Sequence, residues 1–369
     1  MTTDTRAADQ TQTLDAPATA DEGWRRRHLL DLDDFTVDEL EQVMAATDTM
    51  KEVLSREVPR VPALRGTTVV TLFYENSTRT RTSFELAGKV LGADVINIAA
   101  SASSVTKGES LVDTVQTLQA VGADVLVMRH SRSGAPYLAA RHATCSVVNA
   151  GDGLHAHPTQ ALLDLYTMRS ALGDVHGRKV VIVGDIMHSR VARSNMWALT
   201  ALGAEVVVCG PPTLIPAGLG TTTAPASSPD ARAFSPRRDS KEHPRMETEL
   251  PPVRVETDLD RAVEGADVVM ALRMQLERMH GGFVPGAREY SRLYQVNAER
   301  LARAKPGALV MHPGPMNEGI EISHEVAHGL QSRVEEQVAN GVAVRMAVLW
   351  LVTRTGARGG IRAVGRGAL

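Results

Sequence analysis

Two α/β domains, each a parallel sheet flanked by helices and joined by interdomain helices, are what this sequence predicts. Short β-branched runs alternate with helical stretches from Trp24 onward, the pattern of crossover units between parallel strands. The runs fall into two series. Thr67 to Phe73, Asp94 to Ile98 and Asp124 to Met128 form the first; Lys179 to Val183, Glu205 to Cys209, Val253 to Val255, Asp267 to Ala271 and Ala308 to Met311 form the second. A chain of 369 residues with 43% hydrophobic content also suffices for two cores, with a cleft between them.

Taken in order, residues 1–23 are rich in Thr, Ala and Asp without an apolar period, and read as a tail that cannot offset its ordering entropy. Val37 to Leu54 has helical periodicity, and helices are expected over Thr82 to Leu91 and Glu109 to Val121. Pro158 suits the first turn of a helix, which connects a first domain at 24–157 to a second at 158–324. Residues 217–252, dominated by Ser, Thr, Pro and Ala, read as a disordered surface insertion in the second domain. Val334 to Val352 carries apolar residues at helical spacing. A C-terminal helix at about 325–355 is expected to complete the first domain, leaving 356–369 mobile.

The net charge of -3 provides no broad basic field, so nucleic acid is excluded as a partner and any anion site must be local. Cys145 and Cys209 lie in apolar surroundings and read as free thiols in a reducing compartment. No run has the apolar length of a membrane span, and no secretory layout opens the chain. A cytoplasmic location is expected.

The strongest chemical signal is Tyr74-Glu-Asn-Ser-Thr-Arg-Thr-Arg81, between an apolar strand and a helix. Such a junction presents backbone N–H groups and the positive end of the helix dipole, which suits phosphate. Ser77, Thr78 and Thr80 add hydroxyl donors, and Arg79 adds a planar fork for two phosphate oxygens. The Gly-Lys-Ser/Thr of a nucleotide loop is absent, and Val-Gly-Asp at Val183 to Asp185 lacks dinucleotide glycine spacing.

Phe73-Tyr-Glu-Asn-Ser-Thr-Arg-Thr-Arg-Thr-Ser-Phe-Glu85 resembles the carbamoyl-phosphate loop of the aspartate and ornithine carbamoyltransferase family. The resemblance continues in order through Ser103-Ser-Val-Thr-Lys-Gly-Glu109, Met128-Arg-His130, His157-Pro-Thr-Gln160, Arg273-Met-Gln-Leu-Glu-Arg278 and His312-Pro-Gly-Pro315. It spans Trp24 to about Thr355, apart from the insertion. By this resemblance Ser77, Thr78, Arg79, Thr80, Ser103, Lys107, Arg129, His157, Gln160, Gly314 and Pro315 hold carbamoyl phosphate. Thr80, Arg129 and His157 contact the carbonyl oxygen, and Gln160 holds the amide nitrogen. Arg79, Thr80, Lys107, Arg129 and His157 are the catalytic set implied. Lys107, Arg190, Arg273 and Gln275 match the amine-substrate contacts. Ser103 and Lys107 would enter a neighbouring subunit's site, which implies a homotrimer with shared active sites.

His157 sits beside a helix N-terminus, where a cation is disfavoured, and is therefore expected to stay neutral. Arg190 and Arg273 follow strands of the second series, where ligands of open sheets bind. Glu75 is a candidate clamp partner for Arg190. His312-Pro-Gly-Pro stands where ornithine enzymes typically carry His-Cys-Leu-Pro, so the resemblance favours L-aspartate; another amine such as ornithine is the alternative. Glu318 replaces a basic residue that many relatives carry. The implied reaction requires no cofactor and no metal, only fixed donors for the oxyanion and the leaving phosphate. A non-catalytic anion-binding subunit is the rival class, opposed by the intact set of Arg79, Lys107, Arg129 and His157. A further assembly with a regulatory subunit or dihydroorotase is compatible with the resemblance.

Overall fold

A computed structural model describes residues 23–99, 109–220, 250–275 and 286–356. Residues 1–22 of the expected tail, Ser103, Lys107, residues 221–249 of the expected insertion and the C-terminus beyond 356 lie outside the described residues.

Helix α1, Val37–Leu54, opens with a reciprocal capping box between Thr36 and Glu39, which satisfies donors that the first turn otherwise leaves unpaired. The chain then forms β1 (Thr68–Phe73), α2 (Thr78–Val90), β2 (Asp94–Ala99), α3 (Leu111–Ala120), β3 (Val125–His130), α4 (Ala135–His142) and β4 (Ser146–Asp152). These strands make a wholly parallel sheet in the order β2-β1-β3-β4. Helix α5, Pro158–Leu172, leads into the second half. There β5 (Lys179–Val183), α6 (Arg190–Ala201), β6 (Glu205–Cys209), β7 (Arg254–Glu256), α7 (Leu259–Val263), β8 (Val268–Ala271), α8 (Ala287–Tyr294), α9 (Ala298–Leu301), β9 (Leu309–Met311) and α10 (His324–Ala327) follow. The second sheet is also parallel, in the order β7-β6-β5-β8-β9. Helix α11, Val334–Gly356, returns to the first half and packs against α1, α2 and α5.

Strand order reverses between β1 and β3 in one sheet and between β5 and β8 in the other, and crevices at carboxyl ends of strands open at such points. Registry matters here. Phe73 pairs with Arg129 across β1 and β3, so the segment from Tyr74 onward and Arg129 emerge side by side. Val183 pairs with Ala271, so the chain segments leading to Arg190 and Arg273 leave the second sheet together.

Two expectations are corrected, and one strand was missed. Helix α2 begins at Thr78 rather than Thr82, because Ser77 supplies the extended N-cap backbone and Thr78 to Arg81 already form the first turn. Strand β4 was not read from Ser146-Val-Val-Asn-Ala-Gly-Asp152, where two valines precede residues typical of turns; its seven residues are nevertheless all buried. The ends of the 217–252 segment belong to the fold, because Leu219 and Leu250 pack against the main core. Both cysteines are buried free thiols, as expected. Among the described residues no helix is long and apolar enough to cross a membrane.

Candidate active site

The carboxyl ends of both sheets face a cleft of about 840 Å³, within the size range of small-molecule sites. From the first half it is lined by Ser77, Thr78, Arg79 and Thr80 on the first turn of α2, by Arg129 at the end of β3, and by His157 and Gln160 at the start of α5. The second half contributes Arg190, Arg273, Gln275, Gly314 and Pro315. Every expected site residue among those described therefore meets in one cavity.

The Ser77 side chain makes no capping hydrogen bond, so the first-turn N–H groups of α2 remain oriented as an anion cradle. Arg79 reaches across to the second half, where a Cβ on Gly314 would lie 3.1 Å from its guanidinium carbon. Gly314 has φ +63 and is joined to Pro315 by a cis bond. Partial burial and, secondarily, the charge of Arg273 hold the Arg79 pKa below its ordinary value; two cations facing one space call for an anion between them.

Glu75 is the hinge of the arginine arrangement. Its Oε2 accepts from Arg190 Nη2 at 2.8 Å and lies 3.2 Å from Arg129 Nε. The clamp to Arg190 was expected; the sharing with Arg129 was not. Arg129 Nη1 also donates to the Ala150 carbonyl at 3.1 Å, and Arg190 Nη1 to that of Gly153 at 3.2 Å. Gly151 makes the double approach feasible, because its missing Cβ would stand 3.0 Å from both guanidinium groups.

His157 is the N-cap of α5 and is buried. Its backbone N–H donates to Ser194 Oγ at 2.9 Å. Burial first, then the charges of Arg129, Arg190 and Arg345, hold its pKa well below the ordinary imidazole value. Among the described residues Nδ1 has no hydrogen-bond partner. A neutral imidazole with an uncommitted ring nitrogen suits hydrogen bonding to a polar substrate atom.

Two stretches of the chain match family descriptions. Residues 27–170 match the aspartate/ornithine carbamoyltransferase carbamoyl-P binding domain, and 176–352 match the Asp/Orn binding domain. The chain belongs to the aspartate/ornithine carbamoyltransferase family. The aspartate carbamoyltransferase catalytic subunit of Chloroflexus aggregans is 58% identical over 327 residues, covering 88% of this chain and 98% of that one. An aspartate transcarbamoylase of Trypanosoma cruzi, in complex with carbamoyl phosphate and aspartate, superposes with TM-score 0.72 at 29% identity, over 88% of this chain and 95% of its own. Ornithine carbamoyltransferase from Pyrococcus furiosus gives TM-score 0.73 at 29% identity, over 89% and 97%.

Within this carbamoyltransferase cleft, sequence reasoning missed Arg345, Gln337 and the carboxylate beneath them. Arg345 on α11 lines the cleft, is 4% exposed, and stacks 5.3 Å from the Phe84 ring centroid. Burial lowers its pKa to about 10. Asp164, fully buried in α5, accepts from Gln160 Nε2 at 2.9 Å, Gln337 Nε2 at 2.7 Å and Asn195 Nδ2 at 2.8 Å. Burial raises its pKa to about 6, against the pull of those three amides. Gln337 Oε1 in turn accepts from the His312 backbone at 2.9 Å. The signal was present in sequence: Asp164 and Arg345 each interrupt an apolar helical run, and a charge inside such a run is rarely buried without a role.

Proposed function

We propose that this chain is the catalytic polypeptide of an aspartate carbamoyltransferase. It moves the carbamoyl group of carbamoyl phosphate onto the amino group of L-aspartate, giving N-carbamoyl-L-aspartate and phosphate, an early step of pyrimidine and UMP biosynthesis. The observation that carries this reading is the charge of the cleft. Arg79, Arg129, Arg190, Arg273 and Arg345 line it against the single carboxylate of Glu75 among the described residues. Such a set suits one phosphate and two carboxylates. Ornithine would bring an ammonium side chain to the same arginines.

The placement of the side chains around the cleft supports the residue roles that the family resemblance implies. The first turn of α2, with Ser77, Thr78, Arg79 and Thr80, takes the phosphate, while Thr80, Arg129 and neutral His157 polarise the carbamoyl carbonyl. Gln160, its amide nitrogen committed to Asp164, offers Oε1 to the carbamoyl NH2, with the backbone at Gly314 and Pro315 opposite. Arg190, Arg273 and Gln275 receive aspartate. The neutral amine attacks the carbamoyl carbon, forming the C–N bond. The carbon–oxygen bond to phosphate breaks, and the departing phosphate takes the amine proton. Juxtaposition and fixed donors supply the acceleration.

On the same reading the enzyme is a cytoplasmic homotrimer. Ser103 and Lys107 of each subunit enter the next subunit's site, and Lys107 assists both substrates. The domain division falls at His157–Pro158. The purified chain, assayed with carbamoyl phosphate and either aspartate or ornithine, should form product with aspartate alone. Turnover confined to ornithine would refute the assignment.

A further inference from the structure

We propose that Glu318, His324 and His328 form a binding site for one divalent transition-metal ion of the zinc class, outside the carbamoyl-transfer site. His324-Glu-Val-Ala-His328 places two histidines four apart around α10, a spacing that puts both imidazoles on one face of a helix. Glu318 projects its carboxylate between them: Oε2 lies 2.6 Å from His324 Nδ1, and Oε1 lies 3.1 Å from His328 Nε2. The imidazole rings stand 4.6 Å apart between centroids. One ligand atom from each residue falls within 4.8 Å of the other two. Tetrahedral zinc, with bonds of about 2.0–2.2 Å to N and O, needs ligand atoms roughly 3.3–3.6 Å apart. Small rotations of exposed side chains reach that spacing.

The backbone on either side of the cluster is already fixed. Gly319 N donates to the Ile322 carbonyl at 2.8 Å, and the Gly319 carbonyl accepts from Gln295 Nε2 at 2.8 Å and Ser291 Oγ at 3.0 Å. Ser323 caps α10, and its own N–H donates to Val296 at 3.0 Å. The turn carrying Glu318 and the start of α10, which holds His324 and ends at its C-cap His328, are thus anchored to the end of α8 independently of the cluster. Two imidazoles with one carboxylate are a donor set that zinc favours. The His324 side chain is 80% exposed and that of His328 51%. At side chains this exposed, the assignment is to binding and not to a second catalytic activity.

The test uses the full chain, stripped with a chelator and freed of any affinity tag. Titration with Zn2+ is followed by calorimetry, and titration with Co2+ by visible absorption, where a tetrahedral or five-coordinate site gives intense d–d bands. Wild type should bind one Zn2+ per chain more than the His324→Ala/His328→Ala double variant, with a dissociation constant in the micromolar range. His324→Ala, His328→Ala and Glu318→Gln should each weaken that extra site about tenfold or more, and because all three side chains face solvent the circular dichroism spectrum should not change. Equal binding by wild type and the double variant overturns the proposal. So does a Glu318→Gln titration that superposes on wild type, which would reduce the cluster to an adventitious histidine pair.

Discussion

Asp164 Oδ1 accepts at once from Gln160 Nε2, at 2.9 Å, and from Gln337 Nε2, at 2.7 Å. One carboxylate thereby sets the orientation of a cleft amide from α5 and of the α11 glutamine that holds the His312 backbone. Asp164→Asn would turn an amide toward three converging amide donors and leave at least one buried group unsatisfied, at about 1–3 kcal/mol. Steady-state kinetics should show KM for carbamoyl phosphate rising roughly tenfold or more, with KM for aspartate changing far less. Equal rises for both substrates would assign Asp164 to general stability instead.

Gly151→Ala tests the arginine arrangement. The residue has φ +116, a region that costs a side chain about 1–3 kcal/mol, and its new Cβ would press on Arg129 and Arg190. Thermal unfolding should fall by several degrees. The guanidinium ends are able to yield, so kcat should drop beyond what the stability loss explains. A variant with lowered melting temperature and unchanged kcat at 25 °C would show that the two arginines need not be held in this geometry.

His157→Ala should lower kcat by about two orders of magnitude, the usual cost of losing one oxyanion donor. Burial and three arginines depress the folded pKa of this ring. Below the unfolded imidazole pKa of about 6.5 the unfolded chain therefore binds a proton that the folded chain refuses. Its contribution to stability is complete above pH 6.5 and is lost as pH falls toward the folded value. Denaturant unfolding between pH 7 and 5 should lose stability less steeply in His157→Gln than in wild type. An NMR titration showing a protonated His157 ring at pH 7 would reject the neutral-donor role.

Arg273 follows β8 and lies within 3.4 Å of Gln275, on the side assigned to aspartate. Arg273→Ala should raise KM for aspartate steeply while direct binding of carbamoyl phosphate stays nearly intact. Equal loss of carbamoyl phosphate binding would dissolve the division of labour between the halves.

Lys107 carries the shared-site reading. Lys107→Ala and Arg273→Ala trimers should each be nearly inactive. After random reassembly, a site formed by the Arg273 of a Lys107→Ala subunit and the Lys107 of an Arg273→Ala neighbour is native. Around a closed three-fold ring this restores roughly a quarter of wild-type sites. If mass spectrometry shows subunit exchange and activity stays at parental levels, Lys107 does not act between subunits.

Most strands were legible because the sheets are buried on both faces and their strands are nearly continuous apolar runs; Lys179–Val183 and Glu205–Cys209 fall where the sequence places them. Strand β4 was not, because Asn149, Gly151 and Asp152 serve the site: they position Arg129, Arg190 and the loop behind His157, and so resemble a turn. Family motifs located most of the candidate residues that line the cleft. What supports them was hidden by distance along the chain. Gln337 and Asp164 are separated by 173 positions, and nothing in either local sequence names the other. Glu75 was half legible: its acidity suggested a clamp, whereas its sharing by two arginines depends on the β1–β3 registry.

Helix α11 lies over α1, α2 and α5, burying Ala343, Val344, Met346, Ala347 and the residues that follow to Val352. The last described segment of the polypeptide is thus the inner wall of the domain begun by the first. On a ribosome, the apolar faces of α1 and α2 emerge long before their cover has been translated. The amino-terminal half therefore lacks this cover until the whole second sheet has been synthesised. A nonsense mutation shortly before Val334 would spare every candidate site residue read from the sequence, yet leave the first domain without its inner wall and open to proteolysis.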